Sequence, residues 1–250
     1  MLAIISDLHA NLEAVTAVLD DVRAQGADKI YCLGDVVGYG PDPVPVTDLV
    51  RERAEVCLEG NHDEALHRGP LGFNPPAAQV IYWTVEHMKP GFFSGVELRK
   101  RWDYITTRPQ THRLEADLFV HGSPLDPTSG YLLMQDLNFG PTEKYEQVFA
   151  ETERLIFCGH THLPCVITDD FETKTSKQLE NTWTWEKGKA IVNVGSVGQP
   201  RDGDARASYV LFDGKKVTWR RVPYAFEQTS AKVQTLLGIE KLAERLKVGV

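Results

Sequence analysis

Short apolar runs alternate with helix-period stretches through the first part of the chain. Leu2 to Ile5 reads as a buried strand. Asn11 then offers an N-cap, Leu12, Val15, Val18, Leu19 and Val22 follow at helical spacing, and Gly26 suits the end of that helix. Lys29 to Leu33 is a second strand. Pro43 and Val46 to Arg53 form a second helix, and Glu55 to Leu58 a third strand. Strand, helix, strand, helix, strand predicts a largely parallel sheet with right-handed crossovers. Glu64 to Arg113 carries a weaker pattern. Gly69 to Pro76 is a loop, and Pro75 to Met88 a helix with Val80, Ile81, Val85 and Met88 inward.

Further on, Asp117 to Val120 is a strand, Ser123 to Tyr131 a loop, Thr142 to Glu151 a helix and Arg154 to Cys158 a strand. After His162 the pattern changes. Val166-Ile167, Phe171 to Leu179, Trp183 to Trp185, Ala190 to Val194, Ser208 to Phe212 and Lys216 to Trp219 read as an antiparallel meander. Turn signals such as Lys187-Gly188 and Asp213-Gly214 separate them. Two sheets packed face to face with helices outside accommodate both halves. Ala225 to Leu246 reads as closing helices interrupted near Gly238.

Composition narrows the class. The 250 residues are 42% hydrophobic and 25% charged, which suits one globular domain over 1–250. A formal charge of -8 disfavours broad nucleic-acid or membrane-surface binding. The start reaches Asp7 too soon for a signal peptide, and no apolar run approaches membrane-spanning length. Cys32, Cys57, Cys158 and Cys165 have no paired spacing and read as buried thiols of a cytoplasmic protein.

Polar blocks sit at the ends of the strand-like runs: Asp7-Leu8-His9, Gly34-Asp35, Gly60-Asn61-His62-Asp63, His121, and Gly159-His160-Thr161-His162. Alone, each is an ordinary turn, cap or core histidine. In series they hold five of the eight histidines, and the carboxyl ends of α/β strands share the edge where ligands bind. If extended, the pairs Asp7/His9 and His160/His162 each face one way. Imidazole and carboxylate without thiolate suit Mn²⁺, Fe, Zn²⁺, Co²⁺ or Ni²⁺ better than Ca²⁺. Asp7, His9, Asp35, Asn61, His121, His160 and His162 exceed one tetrahedral site. They suit two divalent ions sharing a carboxylate, roughly 3.5–4 Å apart.

These five blocks resemble the signature of the calcineurin-like metallophosphoesterases, from residue 7 to residue 162. The resemblance implies a four-layer α/β/β/α sandwich of two mixed sheets flanked by helices, as a single metallophosphoesterase domain. It implies that Asp7, His9 and His162 bind one metal, that Asn61, His121 and His160 bind the other, and that Asp35 bridges them. His62 is then the general acid, protonating the alkoxide displaced when a metal-bridging hydroxide attacks a phosphoester.

The chain departs from the protein-phosphatase form of the motif, Gly-Asp-x-Val-Asp-Arg-Gly. Gly38 stands at the acidic position and Tyr39 at the arginine, as in the small prokaryotic phosphodiesterase branch. Asn193 to Arg201 also resembles that branch. Tyr39, Arg201 and Arg206 are candidate substrate contacts, with surface solvation the plain alternative for the arginines. The expected reaction is hydrolysis of a small phosphoester by a phosphodiesterase or phosphatase, with no membrane or nucleic-acid partner. The competing expectations are a phosphoprotein phosphatase, a nuclease and a non-catalytic scaffold of the same fold.

Overall fold

A computed structural model describes the backbone of residues 1–250 and every side chain except those of Asn138 and Phe139. The first sheet begins as the periodicity requires. Strand β1 (Leu2–Ile5), helix α1 (Leu12–Ala24), β2 (Lys29–Cys32), α2 (Pro43–Arg53) and β3 (Val56–Cys57) follow in turn, and β1 pairs parallel with β2 and β2 with β3. Asn11 caps α1, its side-chain oxygen accepting the Ala14 N–H at 3.1 Å.

The weakly patterned stretch holds three helices: α3 (Asn61–Arg68), α4 (Pro75–Met88) and α5 (Val96–Thr106). Only Ile105 of α5 is buried, so it lacks the repeating apolar face that marks a helix in sequence. Strands β4 (Thr111–Leu114) and β5 (Asp117–Val120) then open the second sheet. Helices α6 (Asp136–Phe139) and α7 (Glu143–Ala150) lead to β6 (Leu155–Cys158).

The expected meander is divided between two sheets. Strands β7 (Cys165–Thr168), β8 (Thr173–Thr175) and β10 (Ala190–Asn193) join the second sheet. Strands β9 (Thr182–Thr184), β11 (Ala207–Phe212) and β12 (Lys216–Val222) join the first. The orders are β3-β2-β1-β11-β12-β9 and β4-β5-β6-β10-β7-β8. The reason lies in β10. All four of its residues are buried, so it is an interior strand, parallel to β6 on one side and antiparallel to β7 on the other. The expected strand Phe171 to Leu179 is strand only over β8.

Alternation along β1 sets the layers. Leu2 and Ile4 face the second sheet and pack with Phe157, Val192, Val210 and Trp219. Ala3 and Ile5 face the helices and pack with Val15, Val18, Val46 and Val50. On the far side Ile156 and Ile191 pack against Tyr145 and Val148 of α7. The result is helices, sheet, sheet, helices. The closing segment runs through α8 (Phe226–Lys232), a π turn at Val233–Leu237 and α9 (Glu240–Val248), with Gly238 left-handed at the break. Val233, Leu237 and Leu242 pack on Tyr39 and on Ala77 and Val80 of α4.

A buried carboxylate anchors the second sheet. Asp117 is 2% exposed, accepts Arg154 Nε–H at 2.7 Å and takes a second bond from the same guanidinium. Removing the arginine strands that charge. Arg154→Ala should lower unfolding stability by about 3 kcal/mol in urea titration. A loss under about 0.5 kcal/mol, an ordinary surface effect, would show that solvent replaces the pair.

Candidate metal centre and phosphoester pocket

The polar blocks meet at one edge, where the chain leaves β1, β2, β3, β5 and β6. The turns that carry them are unusual. Asp7, His9, Asp35, His160 and His162 all have left-handed φ, between 49° and 62°. Such backbone costs a non-glycine residue about 1–3 kcal/mol and persists where its surroundings over-determine it. The pairs Asp7/His9 and His160/His162 therefore do not share a direction by lying extended. Left-handed turns aim them.

Asp7, His9 and His162 form one group, Asp35, His121 and His160 a second, and His9, Asp35 and His62 a third, each with ligand atoms within 4.8 Å of one another. His9 Nε2 lies 3.1 Å from His162 Nε2, and His162 Nε2 lies 3.1 Å from Asp7 Oδ1. His9 Nε2 is 3.8 Å from Asp35 Oδ2. His121 Nε2 is 3.4 Å from Asp35 Oδ2 and 3.3 Å from Asn61 Oδ1. Asp35 thus stands between the two groups.

Hydrogen bonds on the outer side set the tautomers. His9 Nδ1 faces Val37 O at 3.2 Å, and His162 Nδ1 faces Gln199 O. A carbonyl only accepts, so both Nδ1 atoms carry the proton and both Nε2 atoms present lone pairs. Two lone pairs and the unpartnered Asp7 Oδ1 therefore converge on one point. His160 Nε2 is also buried without a partner. The arrangement repels itself unless a cation lies among the groups, so these residues fit metal ions.

Electrostatics agree. Burial pushes the Asp7 carboxyl up, and protonated imidazole at His162, with His121, would together bring it below the usual range. Burial likewise opposes ionisation of Asp35, and His121, His62 and His9 reverse the balance. Burial and the neighbouring His121 lower His160 to about 3, and burial with His62 lowers His9 well below normal. Both are therefore neutral at ordinary pH, as an imidazole that binds a metal must be. His121 is the exception. Burial lowers it, but Asp35 and Asp7 win and raise it to about 9.

His62 sits at the front of the site. Its ring centroid lies 4.5 Å from Tyr39, 4.7 Å from Phe73 and 4.8 Å from His9. Its Nδ1 has no partner, and a Cβ on Gly38 would overlap that atom. The ring occupies the space that a side chain at residue 38 would need. Burial is the main cause that lowers His62 to about 4. Beyond it opens a cavity of about 210 Å³ lined by Tyr39, Phe73, Asn74, Ser129, Tyr131 and Arg201, among others. The loops Gly69 to Pro76 and Ser123 to Tyr131 both contribute lining residues. Arg206 lies elsewhere, held by Asp204 at 3.0 Å in a separate cavity.

Several residues with positioning roles escaped the sequence reading. Asp63 accepts N–H bonds from Val36 (3.3 Å), Val37 (3.2 Å) and Gly60 (3.1 Å), fastening the Asp35 turn to the Asn61-His62 turn. Burial and the nearby Asp35 raise its carboxyl to about 8. Asn193 Nδ2 donates to Gly159 O at 2.6 Å, and Ser196 Oγ donates to Asp7 O at 2.8 Å. Asp63 was visible as the last residue of its block. Asn193 and Ser196 were visible only as members of a polar, glycine-bearing run.

The profile of the calcineurin-like phosphoesterase superfamily domain matches residues 1–216. The chain belongs to the calcineurin-like phosphoesterases. A metallophosphoesterase from Sphaerobacter thermophilus has a similar crystal structure, at 36% identity, TM-score 0.79 and coverage of 100% of this chain and 98% of that one. The uncharacterized protein MJ0912 of Methanocaldococcus jannaschii is 34% identical over 261 residues, covering 100% of this chain and 98% of its own. The protein PH1004 of Pyrococcus horikoshii OT3 shares the fold at TM-score 0.73 and 20% identity, covering 100% of this chain and 99% of that one. Calcineurin-like phosphoesterases depend on two metals, and the His/Asp groups of this one could hold them.

As a candidate ligand, His121 would make metal binding pH-dependent. Protonated in the metal-free site up to about pH 9, it must lose its proton to act as a ligand, so affinity rises with pH below that value. Calorimetric titration in buffers of different ionisation enthalpy should register release of about one proton for one of the two ions. Heats independent of buffer would remove His121 from the ligand set.

Proposed function

We propose that this phosphoesterase hydrolyses small phosphoesters. Asp7, His9 and His162 hold one divalent transition-metal ion, Asn61, His121 and His160 hold another, and Asp35 lies between them. The ions supply Lewis acidity and an acidified water. The observation that carries this reading is the convergence of the His9 and His162 lone pairs on Asp7 Oδ1, beside a cavity that opens past His62.

The chain's own groups do the rest. Asp63 and Asn193 hold the ligand turns in place. His62 protonates the departing oxygen as general acid. In the free site it is neutral, and an anionic phosphate arriving beside the ring raises its pKa, so it takes up its proton with the substrate. Tyr39 and Arg201 line the pocket as substrate contacts. Arg206 has no part in this reading. The cavity of about 210 Å³ supports a small substrate over a phosphoprotein. We take residues 1–250 as one functional unit, and the four buried free thiols support a cytoplasmic setting. No helix among the described residues is long and apolar enough to cross a membrane.

Purified protein supplied with Mn²⁺ should hydrolyse bis-p-nitrophenyl phosphate. Inactivity with Mn²⁺, Co²⁺, Ni²⁺ and Zn²⁺ alike would sink the enzyme reading. His62→Ala should keep its metal and lose turnover by about 100-fold or more, whereas Asp35→Ala should lose metal. A fully active His62→Ala protein would refute the general-acid role.

A further inference from the structure

Arg201 is a cation in the pocket without a carboxylate. One terminal nitrogen donates to Gln199 Oε1 at 2.9 Å, and its buried Nε has no partner. Its neighbour Asp202 is paired with Arg221 instead. Arg206 and Arg154 are each matched to an aspartate. A partly buried guanidinium with unmet donors is costly unless an anion completes it.

Its position says which anion. The guanidinium carbon lies 5.6 Å from the centre of the Tyr39 ring, whose own centre is 4.5 Å from that of His62. Gln199 holds both sides of this arrangement. Its carbonyl orients His162 and its side chain orients Arg201. Arg201 is thereby fixed to the same support as a metal-facing imidazole. It lines the cavity that also contains Asp35 and His62.

Resting on the phosphoesterase reading, we infer that Arg201 seats a third phosphoryl oxygen and biases the site toward phosphomonoesters over phosphodiesters. A diester has two free oxygens and one negative charge. A monoester has three free oxygens and two charges. Two cations satisfy two oxygens, so a further positive group favours the substrate that still has one to offer. Hydrolysis of the monoester breaks the P–O ester bond with water and yields an alcohol and inorganic phosphate, with no other reactant.

The test is the Arg201→Gln protein, its metal content checked, assayed on p-nitrophenyl phosphate and bis-p-nitrophenyl phosphate. The ratio of monoester to diester kcat/KM should fall by about 10- to 100-fold, and Arg201→Lys should recover part of it. An unchanged ratio, including an equal fall on both substrates, overturns the inference. Calorimetry on the metal-loaded protein gives a second readout. Arg201→Gln should weaken inorganic phosphate binding by a similar factor and dimethyl phosphate binding much less, and equal weakening of both also overturns it. If the parent hydrolyses neither ester, the phosphoesterase reading fails, while the phosphate titration still decides the role of Arg201.

Discussion

Two ionised carboxylates, Asp7 and Asp35, are sunk among imidazoles with almost no access to water. The rest of the site answers to that constraint. A buried carboxylate is tolerated only where hydrogen bonds or opposite charge replace its hydration. Each has one oxygen bonded to a backbone N–H, Asp7 to His160 at 3.0 Å and Asp35 to His62 at 2.8 Å. The other oxygen of each is left for the imidazoles and for cations. Asp7 thus holds the turn after β6 of the other sheet, and Asp35 holds the turn after the neighbouring strand β3.

Such an arrangement needs a rigid frame, because five of the candidate ligand residues are in left-handed backbone that relaxes if released. The frame is mostly polar and internal. Asp63 ties two turns of the first sheet together. The segment after β10 ties the first sheet to the second, with Val197 N–H on Ser6 O at 3.0 Å and Gly198 N–H on Asp7 O at 2.9 Å. It crosses between the sheets at the level of the ligands, and Trp219 Nε1 donates to Asn193 O from below at 2.9 Å. The last third of the chain supplies none of the seven candidate ligands, yet its loop helps set where they stand.

Much of this was legible because chemistry-bearing residues are rare and strand ends collect them. Asp7, His9, Asp35, Asn61, His121, His160 and His162 could be picked out without knowing a single distance. The parallel half of the first sheet was legible from β1, α1 and β2, where apolar period and capping agree. What stayed hidden depends on tertiary context. Helix α5 buries little, so it leaves no stripe. The late strands distribute between two sheets according to which face each must cover, and local alternation does not encode that. Asp63 looked like a cap because it is one, and its second bond set appears only when the Asp35 turn arrives from another strand. Phe73 and Tyr131 sat in loops, where an aromatic carries no periodic signal.

The packing behind Tyr39 couples two distant parts of the chain. The wall of the pocket rests on Val233, Leu237 and Leu242, in closing helices beyond the 1–216 stretch that matches the family domain. The pocket wall is therefore backed by a part of the chain outside the matched stretch, while the residues that line the pocket lie within it. Exchanges in the closing helices bear on Tyr39 and the start of α4, and through Tyr39 on the His9 ring 4.7 Å away. The tail that closes the chain is thus mechanically continuous with the mouth of the site.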